Sequence, residues 1–512
     1  MSRPLRMGAA AAVISVSILL SRLLGLGRDA LIAGLIGRND EADLYFQAFL
    51  IPDFLNYLIA GAFLTITLIP ILSRHLEAGD IVAASRAFTS VLRFVAGTVV
   101  ALTTLMWLFA DQLVTVVFPD VAGNHDRLIA MTRIILPAQV FLVIGAILMA
   151  VQYAHKRFLF PALAPLIYNL GIILGGLLGV LLGDPSPEAF LWGALGGAFV
   201  GNFTLQWIGA RRTGTWLIRP LPGESSVREY LVLALPLMVG QSVAVLDEQF
   251  VRFFGQAEVG ATSALSFARR LNMVPVGVIA QAAGVAAFPF LAGLAARGDN
   301  ETLVTTTARA ARNTVFVAAG AAAALVVLAE PAVTLIYRYG QFTAADAEVV
   351  ASLLMIYALS IPAWGLHQIL VRHFYAKRKM WTPVVIGTLF TILAVPIWVG
   401  LHRSMGVRGF ALASTLVISG YALAMLFAWG RDSGWEAVRS LLPSIARGLA
   451  AALVAGVSIA PLVEALGRSV PSGMGMSVIT LFVGGVSVTA VFTLVAFVLR
   501  SPELASLRRR AS

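Results

Sequence analysis

Several charged side chains of this sequence lie inside long apolar stretches, where their type and spacing could support chemistry. Arg22, Arg28 and Asp29 lie in the first stretch, and the adjacent Arg269 and Arg270 lie in a later one. An ionisable group at membrane depth costs several kcal/mol unless it faces a partner or a wet cavity, so such residues mark functional sites by default. The planar guanidinium of arginine can bind two phosphate oxygens at once. These arginines therefore indicate a cationic cavity for a phosphorylated, amphipathic ligand.

Some of the charged residues are also explained by ion pairing. Glu248 and Arg252 in the seventh stretch are four residues apart in the favourable order, which favours a structural ion pair. Arg28 and Asp29 lie closer to the outer surface, so an interfacial ion pair and a functional site are equally good explanations for them.

Motifs for catalysis are missing from the sequence. None of the three lysines follows a glycine, so there is no Walker A motif, and the six histidines form no HExxH pair. The chain has no cysteine, which excludes disulfides, thiolate metal sites and thiol nucleophiles. Gly193, Gly197 and Gly201 form a GxxxGxxxG pattern, which predicts a close helix-packing face and not a phosphate-binding loop. We therefore expect no enzyme activity, no catalytic residue and no bound cofactor.

The composition identifies the class of protein. Of 512 residues, 59% are hydrophobic and 12% are charged, and the mean hydropathy is +0.87. A soluble domain is closer to half apolar and a quarter charged, so this chain has too little charge to cover a water-exposed surface. Soluble enzymes, secreted disulfide scaffolds and disordered chains are thereby excluded. The net charge of +11 is expected in cytoplasmic loops that hold the topology, and it does not indicate nucleic acid.

The apolar stretches are long enough to cross a bilayer as helices. They predict an all-α integral membrane protein with fourteen transmembrane helices. Arginine and lysine are roughly three times as frequent in one set of alternate loops as in the other, which predicts that both termini are cytoplasmic. The predicted helices cover residues 8–36, 44–73, 86–112, 129–154, 160–183, 188–210, 228–254, 261–294, 306–330, 349–374, 382–401, 407–430, 443–465 and 475–499.

An internal repeat divides these helices. The segment YAHKRFLFP at 153–161 matches YAKRKMWTP at 375–383 at an offset of 222, and Pro52 matches Pro275 at an offset of 223. Because a repeat of about six helices is even in number, both copies have the same orientation, as in transporters built from parallel repeats. The two prolines are expected to bend helices 2 and 8. The predicted domains are two six-helix lobes at 1–215 and 224–432, helices 13 and 14 at 440–500, and a basic cytoplasmic tail at 501–512.

The residues around these landmarks resemble the MurJ/MviN family of bacterial lipid II flippases, part of the multidrug/oligosaccharidyl-lipid/polysaccharide exporter superfamily. The resemblance extends over about residues 8–430 and is most specific in the first helix, whereas helices 13 and 14 match only in number and apolarity. The motifs that carry it are SRLLGLGRD at 21–29, DLYF at 43–46, IPDFLNY at 51–57, IPILS at 69–73, ARRL at 268–271 with Pro275, YGQFT at 339–343, and FY at 374–375 with TP at 382–383.

The resemblance implies a function. A flippase of this kind moves lipid II, an undecaprenyl-diphosphate-linked glycopeptide, across the bacterial cytoplasmic (inner) membrane by alternating access, in peptidoglycan and cell wall biogenesis and hence cell shape. It implies a central cationic cavity and a groove at helices 13 and 14 for the polyprenyl tail. The essential arginines of the family map onto Arg22, Arg28 and Arg270, and its acidic residue at the outer end of the second helix maps onto Asp43. Asp29 and Arg269 complete the expected substrate site.

The resemblance also bears on partners and ions. The expected partners are lipid II, membrane lipids and the cell-wall synthesis machinery, with no nucleic acid. Some relatives bind sodium between helices 7 and 11, which makes Asp247 a candidate sodium ligand. The eleventh helix, at 382–401, contains no Asp, Glu or Asn, so such a site would be incomplete here. With no nucleotide motif, transport is expected to follow an ion gradient or the membrane potential.

The chain departs from the family pattern at two places. Many members carry paired arginines after the proline of the second helix, where this chain reads Asn56-Tyr57 and is one residue shorter. Many also have an aspartate before the arginine of the eighth helix, where this chain has Arg269. The second helix therefore lacks the family's basic pair, and the cavity is expected to be more basic than usual.

A membrane protein with these features has alternative functions in transport, in catalysis and as a scaffold. A flippase for another polyprenyl-diphosphate-linked glycan and a multidrug exporter of the same superfamily are the alternatives in transport, and such exporters usually lack the extra helix pair. A membrane-embedded glycosyltransferase or phosphatase would need an acidic or histidine-rich loop. The outer loops near 113–128 and 331–348 lack such a cluster. The sequence leaves a scaffold role open, although buried unpaired arginines are costly for a scaffold to keep.

Overall fold

The computed structural model describes residues 7–59, 61–121, 123–218, 226–239, 243–469 and 474–504. Over these ranges the chain is helical and contains no β-strand, which confirms the predicted fold class. Residues 505–512 of the predicted basic tail lie outside the described residues.

The helices are numbered here in chain order. Those from the first to the seventh predicted span are α1 (Met7–Ile36), α2 (Asp40–Gln47), α3 (Leu50–Leu58), α4 (Gly61–Glu77), α5 (Ile81–Leu108), α6 (Ala110–Val117), α7 (His125–Ile135), α8 (Ala138–Ala154), α9 (Leu159–Leu181), α10 (Pro187–Gly197), α11 (Leu205–Arg211), α12 (Ser226–Val239) and α13 (Val243–Phe254). The remaining ones are α14 (Ala261–Pro275), α15 (Ala282–Ala296), α16 (Asn300–Val327), α17 (Ala329–Tyr337), α18 (Ala344–Ala358), α19 (Ile361–Ala376), α20 (Trp381–Met405), α21 (Val407–Ser433), α22 (Trp435–Ser469) and α23 (Met474–Val498).

Each predicted span has a helical counterpart, but several spans are interrupted. Within the described ranges, nine helices are long and apolar enough to cross a membrane, and α18 with α19, bent by 41°, would make a tenth. The second span consists of the three pieces α2, α3 and α4, and the sixth contains a π-helical segment at Ala198–Thr204 between α10 and α11. Helix length and apolarity therefore do not by themselves establish the predicted number of fourteen.

Both prolines singled out by the repeat lie at irregularities of their helices. Pro52 is in the first turn of α3, directly after the break that ends α2. Pro275 ends α14, and the chain continues as a π-helical segment at Val276–Gln281 before α15. Because proline has no backbone N–H, the carbonyl one turn earlier loses its intrahelical partner. The expected bends thus correspond to a helix break in one case and a π-helical turn in the other.

The chain divides into two compact units. The first contains Met1–Gln241 and Arg252–Ser263, and the second contains Ser242–Val251 and Ala264–Ser512. The long helices α5 and α16, one in each unit, begin alike. Gly79 and Gly298 have φ of 74° and 73°, and the following Asp80 and Asp299 each accept a backbone N–H three residues on, at 2.8 and 3.1 Å. Both helices have 28 residues, so the internal repeat is visible in local structure.

The repeated sequence segments also fold alike. Lys156 and Arg378 have positive φ, of 56° and 58°. In each case the next residue donates its N–H to the carbonyl five residues earlier, at 2.8 Å in the first copy and 2.9 Å in the second. This pattern is a Schellman motif, which ends a helix by satisfying its last carbonyls. The turns after α8 and α19 therefore share one capping geometry.

Glycines bring α9 and α10 into close contact. A Cβ atom added at Gly193 would lie 2.4 Å from the carbonyl oxygen of Gly171 and 2.9 Å from the Cα of Gly175. At Gly197 it would lie 2.9 Å from the carbonyl oxygen of Tyr168. Only hydrogen fits at these distances, so the GxxxGxxxG pattern is a packing face, as predicted. The contact fixes the position of α9 in the first unit.

Helices α22 and α23 pack on α16 and the start of α17 in the second unit. Phe316 of α16 and Phe492 of α23 are in contact, with ring centroids 4.9 Å apart and ring planes inclined at 47°. Ala451 and Ala455 of α22 are fully buried in the same cluster, whereas Phe482 and Phe497 are 72% and 67% exposed. One face of this helix pair is thus in the core of the unit, and the other has the apolar character expected of a lipid-facing surface.

We predict that Gly193→Ala lowers the thermal unfolding midpoint of the purified protein. The added methyl group forces two backbones apart, which costs about 1–3 kcal/mol. Gly196→Ala on the same helix is the matched control, because a Cβ there meets nothing within 4 Å. The control should be neutral or slightly stabilising, since alanine favours the helix. Equal midpoints for the two variants would show that the glycine contact is not close.

Candidate functional site

Arg28 of α1 lies at the centre of a buried polar cluster in the first unit. Its Nε and one terminal nitrogen donate to Asp29 Oδ1 at 2.9 and 2.7 Å, and the other terminal nitrogen donates to Asn169 Oδ1 at 3.1 Å. The Asn169 amide in turn donates to Ser21 Oγ at 3.3 Å and to the Pro165 carbonyl at 2.9 Å. The Arg28 side chain is 12% exposed and that of Asp29 is 2% exposed. The guanidinium is therefore held in a defined position.

A second ion pair lies in the same unit. Arg252 of α13 donates to Asp53 Oδ2 of α3 at 2.6 Å, and its guanidinium lies over the ring of Phe49, 5.9 Å from the centroid. Tyr168 of α9 is within electrostatic range of both Arg28 and Arg252. Because Tyr168 and Asn169 are adjacent on α9, the glycine contact with α10 positions both. The first unit thus contains two arginines near one tyrosine.

Asp43 is buried in α2 and binds backbone amides. Its carboxylate accepts the N–H groups of Gly260 and Ser263 at 2.6 and 2.7 Å, at the start of α14. Gln47, one turn later, donates to Thr262 Oγ1 at 3.1 Å. A carboxylate is stabilising at a helix N-terminus, where the first N–H groups have no intrahelical acceptor. Asp43 therefore caps α14 from another part of the chain.

The other predicted site residues occupy separate places. Arg22 is half-buried on α1, two turns before Arg28. Arg269 and Arg270 are half-buried on α14 in the second unit, and Arg269 is within electrostatic range of Tyr357. Asp247 lies on α13, but its side chain is outside the described residues. The structure thus brings Arg28 and Asp29 together, and it places Asp43 at a helix end.

Three residues of this site were not predicted from the sequence: Asp53, Tyr168 and Asn169. Asp53 is a charged group within an apolar span, which is the signal that identified Arg28 and Arg252, so that signal could have found it. The sequence predicted Glu248 as the partner of Arg252, and the structure shows an ion pair of Arg252 with Asp53. Asn169 is a lone amide in an apolar helix, which is a weaker signal. Neither its contact with Arg28, 141 residues away, nor the pairing of Arg252 with Asp53 follows from sequence spacing.

A cavity of about 890 Å³ lies in the second unit between α16, α17, α18 and the pair α22 and α23. Most of its lining is apolar, including Ala319, Val327, Leu453 and Val457. Glu330, Arg338 and Glu464 are its charged lining residues. A partly open, mostly apolar cavity with few charged lining groups suits an apolar chain.

The chemistry available here is ion pairing. In the part of the chain that is described, no three His, Cys, Asp or Glu side chains are grouped to hold a metal ion. The guanidinium groups of Arg28 and Arg252 are paired with carboxylates, and phosphate oxygens form the same bidentate contacts with arginine. A phosphate group is therefore chemically similar to the carboxylates that these two arginines bind in the structure.

Comparison with known proteins identifies relatives over nearly the whole chain. The family model described as "Lipid II flippase MurJ" matches residues 32–480. The "Probable lipid II flippase MurJ" of Rhizobium meliloti is 26% identical over 516 residues, covering 97% of this chain and 95% of the relative. The "Lipid II flippase MurJ" of Burkholderia cenocepacia is 28% identical over 437 residues, covering 80% and 83%.

Solved structures share the fold. "Lipid II flippase MurJ, inward closed conformation" is similar with a TM-score of 0.76 at 21% identity, covering 95% of this chain and 99% of that chain. An inward-facing multidrug resistance MATE family transporter of the MOP superfamily is similar with a TM-score of 0.68 at 16% identity, covering 84% and 99%. At these identities the likeness shows the fold alone.

We predict that Asp43→Ala loosens the start of α14. Two buried N–H groups would lose their acceptor, and each costs about 1–3 kcal/mol when unsatisfied. Hydrogen exchange followed by mass spectrometry should become faster in peptides spanning 258–266, and the thermal midpoint should fall. Asp40→Asn is the matched control, because Asp40 is exposed on the same helix and its contact with Asn124, at 3.4 Å, is long. Unchanged exchange in Asp43→Ala would contradict the cap.

Proposed function

The chain belongs to the lipid II flippase MurJ family, and from this membership we propose that it moves lipid II from the cytoplasmic to the outer leaflet of the bacterial inner membrane. The observation that carries the proposal is the buried Arg28 cluster, since its guanidinium lies inside an apolar helix and is held by Asp29 and Asn169. A preorganised guanidinium at membrane depth suits a diphosphate that must cross the bilayer. Transport, and not catalysis, is the proposed activity.

The proposed binding groups for the diphosphate are Arg22 and Arg28 of the first unit and Arg269 and Arg270 of the second. The match to the family model begins at residue 32, so the roles of Arg22 and Arg28 rest on their position in α1 and on the resemblance of that helix. Asp29 keeps Arg28 neutralised and oriented when no substrate is bound. Asp43 contributes by capping α14, the helix that carries Arg269 and Arg270.

The polyprenyl tail is proposed to remain in lipid beside helices 13 and 14, which are α22 and α23. The exposed apolar face of this pair and the cavity between it and α16 to α18 support that assignment. With the tail in this position, only the diphosphate and the glycopeptide have to pass the apolar interior.

The helix break before Pro52 and the π-helical turn after Pro275 are the proposed bending points of an alternating-access cycle.

The proposed energy source is the membrane potential or an ion gradient, with both termini in the cytoplasm. Moving one charge across the potential is worth about 2.3 kcal/mol per 100 mV, so a basic site can couple to voltage. Asp247 is the candidate ligand for sodium. Partner proteins of the cell-wall synthesis machinery would receive the product at the outer surface.

A flippase for another polyprenyl-diphosphate-linked glycan is the second candidate, because the arginines proposed here would bind the diphosphate, which all lipids of this class share. A multidrug exporter of the same superfamily shares the fold, as the MATE structure shows. Competition between lipid II and an undecaprenyl-diphosphate glycan in a translocation assay separates these functions.

We predict that Arg22→Ala and Arg270→Ala each abolish translocation of lipid II in proteoliposomes and leave membrane insertion intact. Lysine at either position should restore it only in part, because an ammonium does not reproduce bidentate phosphate binding. Arg74→Ala is the control, since that side chain is 59% exposed and pairs with Glu229. Full growth of cells that depend on either alanine variant would reject the assignment.

We further predict that collapse of the membrane potential by valinomycin and potassium stops translocation in proteoliposomes that contain no nucleotide. The reason is that the chain has no Walker A motif, whereas net charge at the site responds to voltage. Replacing sodium by choline at constant potential tests the ion separately. Translocation that is insensitive to the potential but requires ATP would contradict the proposed coupling to the membrane potential.

A further inference from the structure

We propose that Arg252 is a further binding residue for the diphosphate, and that Asp53 is the carboxylate that this diphosphate displaces. This inference rests on the proposed function and adds a residue of α13 to its substrate site. It follows from the position of Arg252 in the first unit, where Tyr168 is within electrostatic range of both Arg252 and Arg28.

Burial and contacts with Asp53 and Phe49 describe the position of Arg252. Its side chain is 8% exposed, it donates to Asp53 Oδ2 at 2.6 Å, and its guanidinium lies 5.9 Å from the ring centroid of Phe49. Tyr168 is within electrostatic range of both Arg252 and Arg28. Arg28 and Arg252 are thus two buried guanidinium groups of one unit that each bind a carboxylate, and phosphate oxygens form the same kind of contact with arginine.

The second helix explains why this arginine comes from another segment. Between Asn39 and Ser73 the chain contains no lysine or arginine. Among the side chains of α3, Asp53 carries a carboxylate and Asn56 an amide, which donates to Gln139 at 2.9 Å. A cationic site beside α3 therefore needs a basic residue from another segment of the chain. Arg252 of α13 takes this place by pairing with Asp53.

The two partners of the ion pair differ in accessibility. The Asp53 side chain is 29% exposed, whereas that of Arg252 is 8% exposed. A buried arginine without an anion would be costly, and Asp53 removes that cost while the site is empty. An incoming phosphate can reach the exposed carboxylate, take its place on the guanidinium and leave Asp53 to be hydrated. The exchange conserves the number of ion pairs and breaks no covalent bond.

A purely structural pair would have different consequences, and a double-mutant cycle separates the two. The variants are Arg252→Gln, Asp53→Asn, Arg252→Gln with Asp53→Asn, and Arg252→Lys, all in the full chain. The probe is undecaprenyl diphosphate, with binding measured by native mass spectrometry of the detergent-solubilised protein. Arg127→Gln is the control, because Arg127 forms an ion-pair cluster with Glu41 and Glu188 that has no proposed contact with substrate.

We expect Arg252→Gln to weaken binding about tenfold or more, which is the effect of losing a charged hydrogen bond. Asp53→Asn should bind at least as tightly as the unaltered protein, because the competing carboxylate is gone. The double variant should remain about tenfold weaker than Asp53→Asn, with Arg252→Lys intermediate and Arg127→Gln unchanged. The double variant removes both charges of this ion pair together, so it tests the proposal even where Arg252→Gln alone fails to fold.

Two outcomes would overturn the inference. If both single variants bind equally weakly and the double variant binds like the unaltered protein, the pair is structural only. If Arg252→Gln binds normally, Arg252 does not touch the diphosphate. Failure of the unaltered protein to bind undecaprenyl diphosphate and to translocate lipid II would instead reject the proposed function itself.

Discussion

Every arginine placed inside this apolar chain needs a partner that compensates the loss of water, and the first unit is arranged around that requirement. Arg28 has Asp29 and Asn169, and Arg252 has Asp53. Removing one member of a buried pair leaves an uncompensated charge, which is strongly destabilising. The carboxylates are therefore as necessary as the arginines, and their contacts connect α1, α3, α9 and α13. Charge compensation thus determines which helices meet.

The glycine contact between α9 and α10 has a consequence for the site, because it sets the place of α9. A helix that packs through Gly171 and Gly175 cannot move outward or turn without losing backbone contact with α10. Tyr168 and Asn169 lie in the turn that precedes Gly171, so their direction follows from this packing. The glycines between α9 and α10 have no reactive side chain, but their packing determines the position of the Asn169 amide that binds Arg28.

The fold class could be predicted from the sequence, because the length and apolarity of a helix are local properties. The internal repeat was also visible in short sequence motifs, and the equal capping of α5 and α16 by Asp80 and Asp299 adds a structural likeness that was not predicted. Arg28 and Asp29 were also found, since a charge in an apolar helix is visible without a structure. The pairing of Arg252 with Asp53, 199 residues apart, was not predicted, because it depends on packing between distant helices. The cap on α14 by Asp43 was missed for the same reason.

The acidic residues of the first unit divide into two kinds, and their accessibility shows which kind can take part in transport. Asp43 is 5% exposed and accepts two backbone N–H groups, which no substrate can replace without unwinding the start of α14. Asp53 is 29% exposed and binds a guanidinium, for which phosphate is an equivalent anion. A carboxylate that is released during the cycle must be reachable and must be stable in water once displaced. Asp53 meets both conditions, whereas Asp43 has the properties of a permanent structural contact.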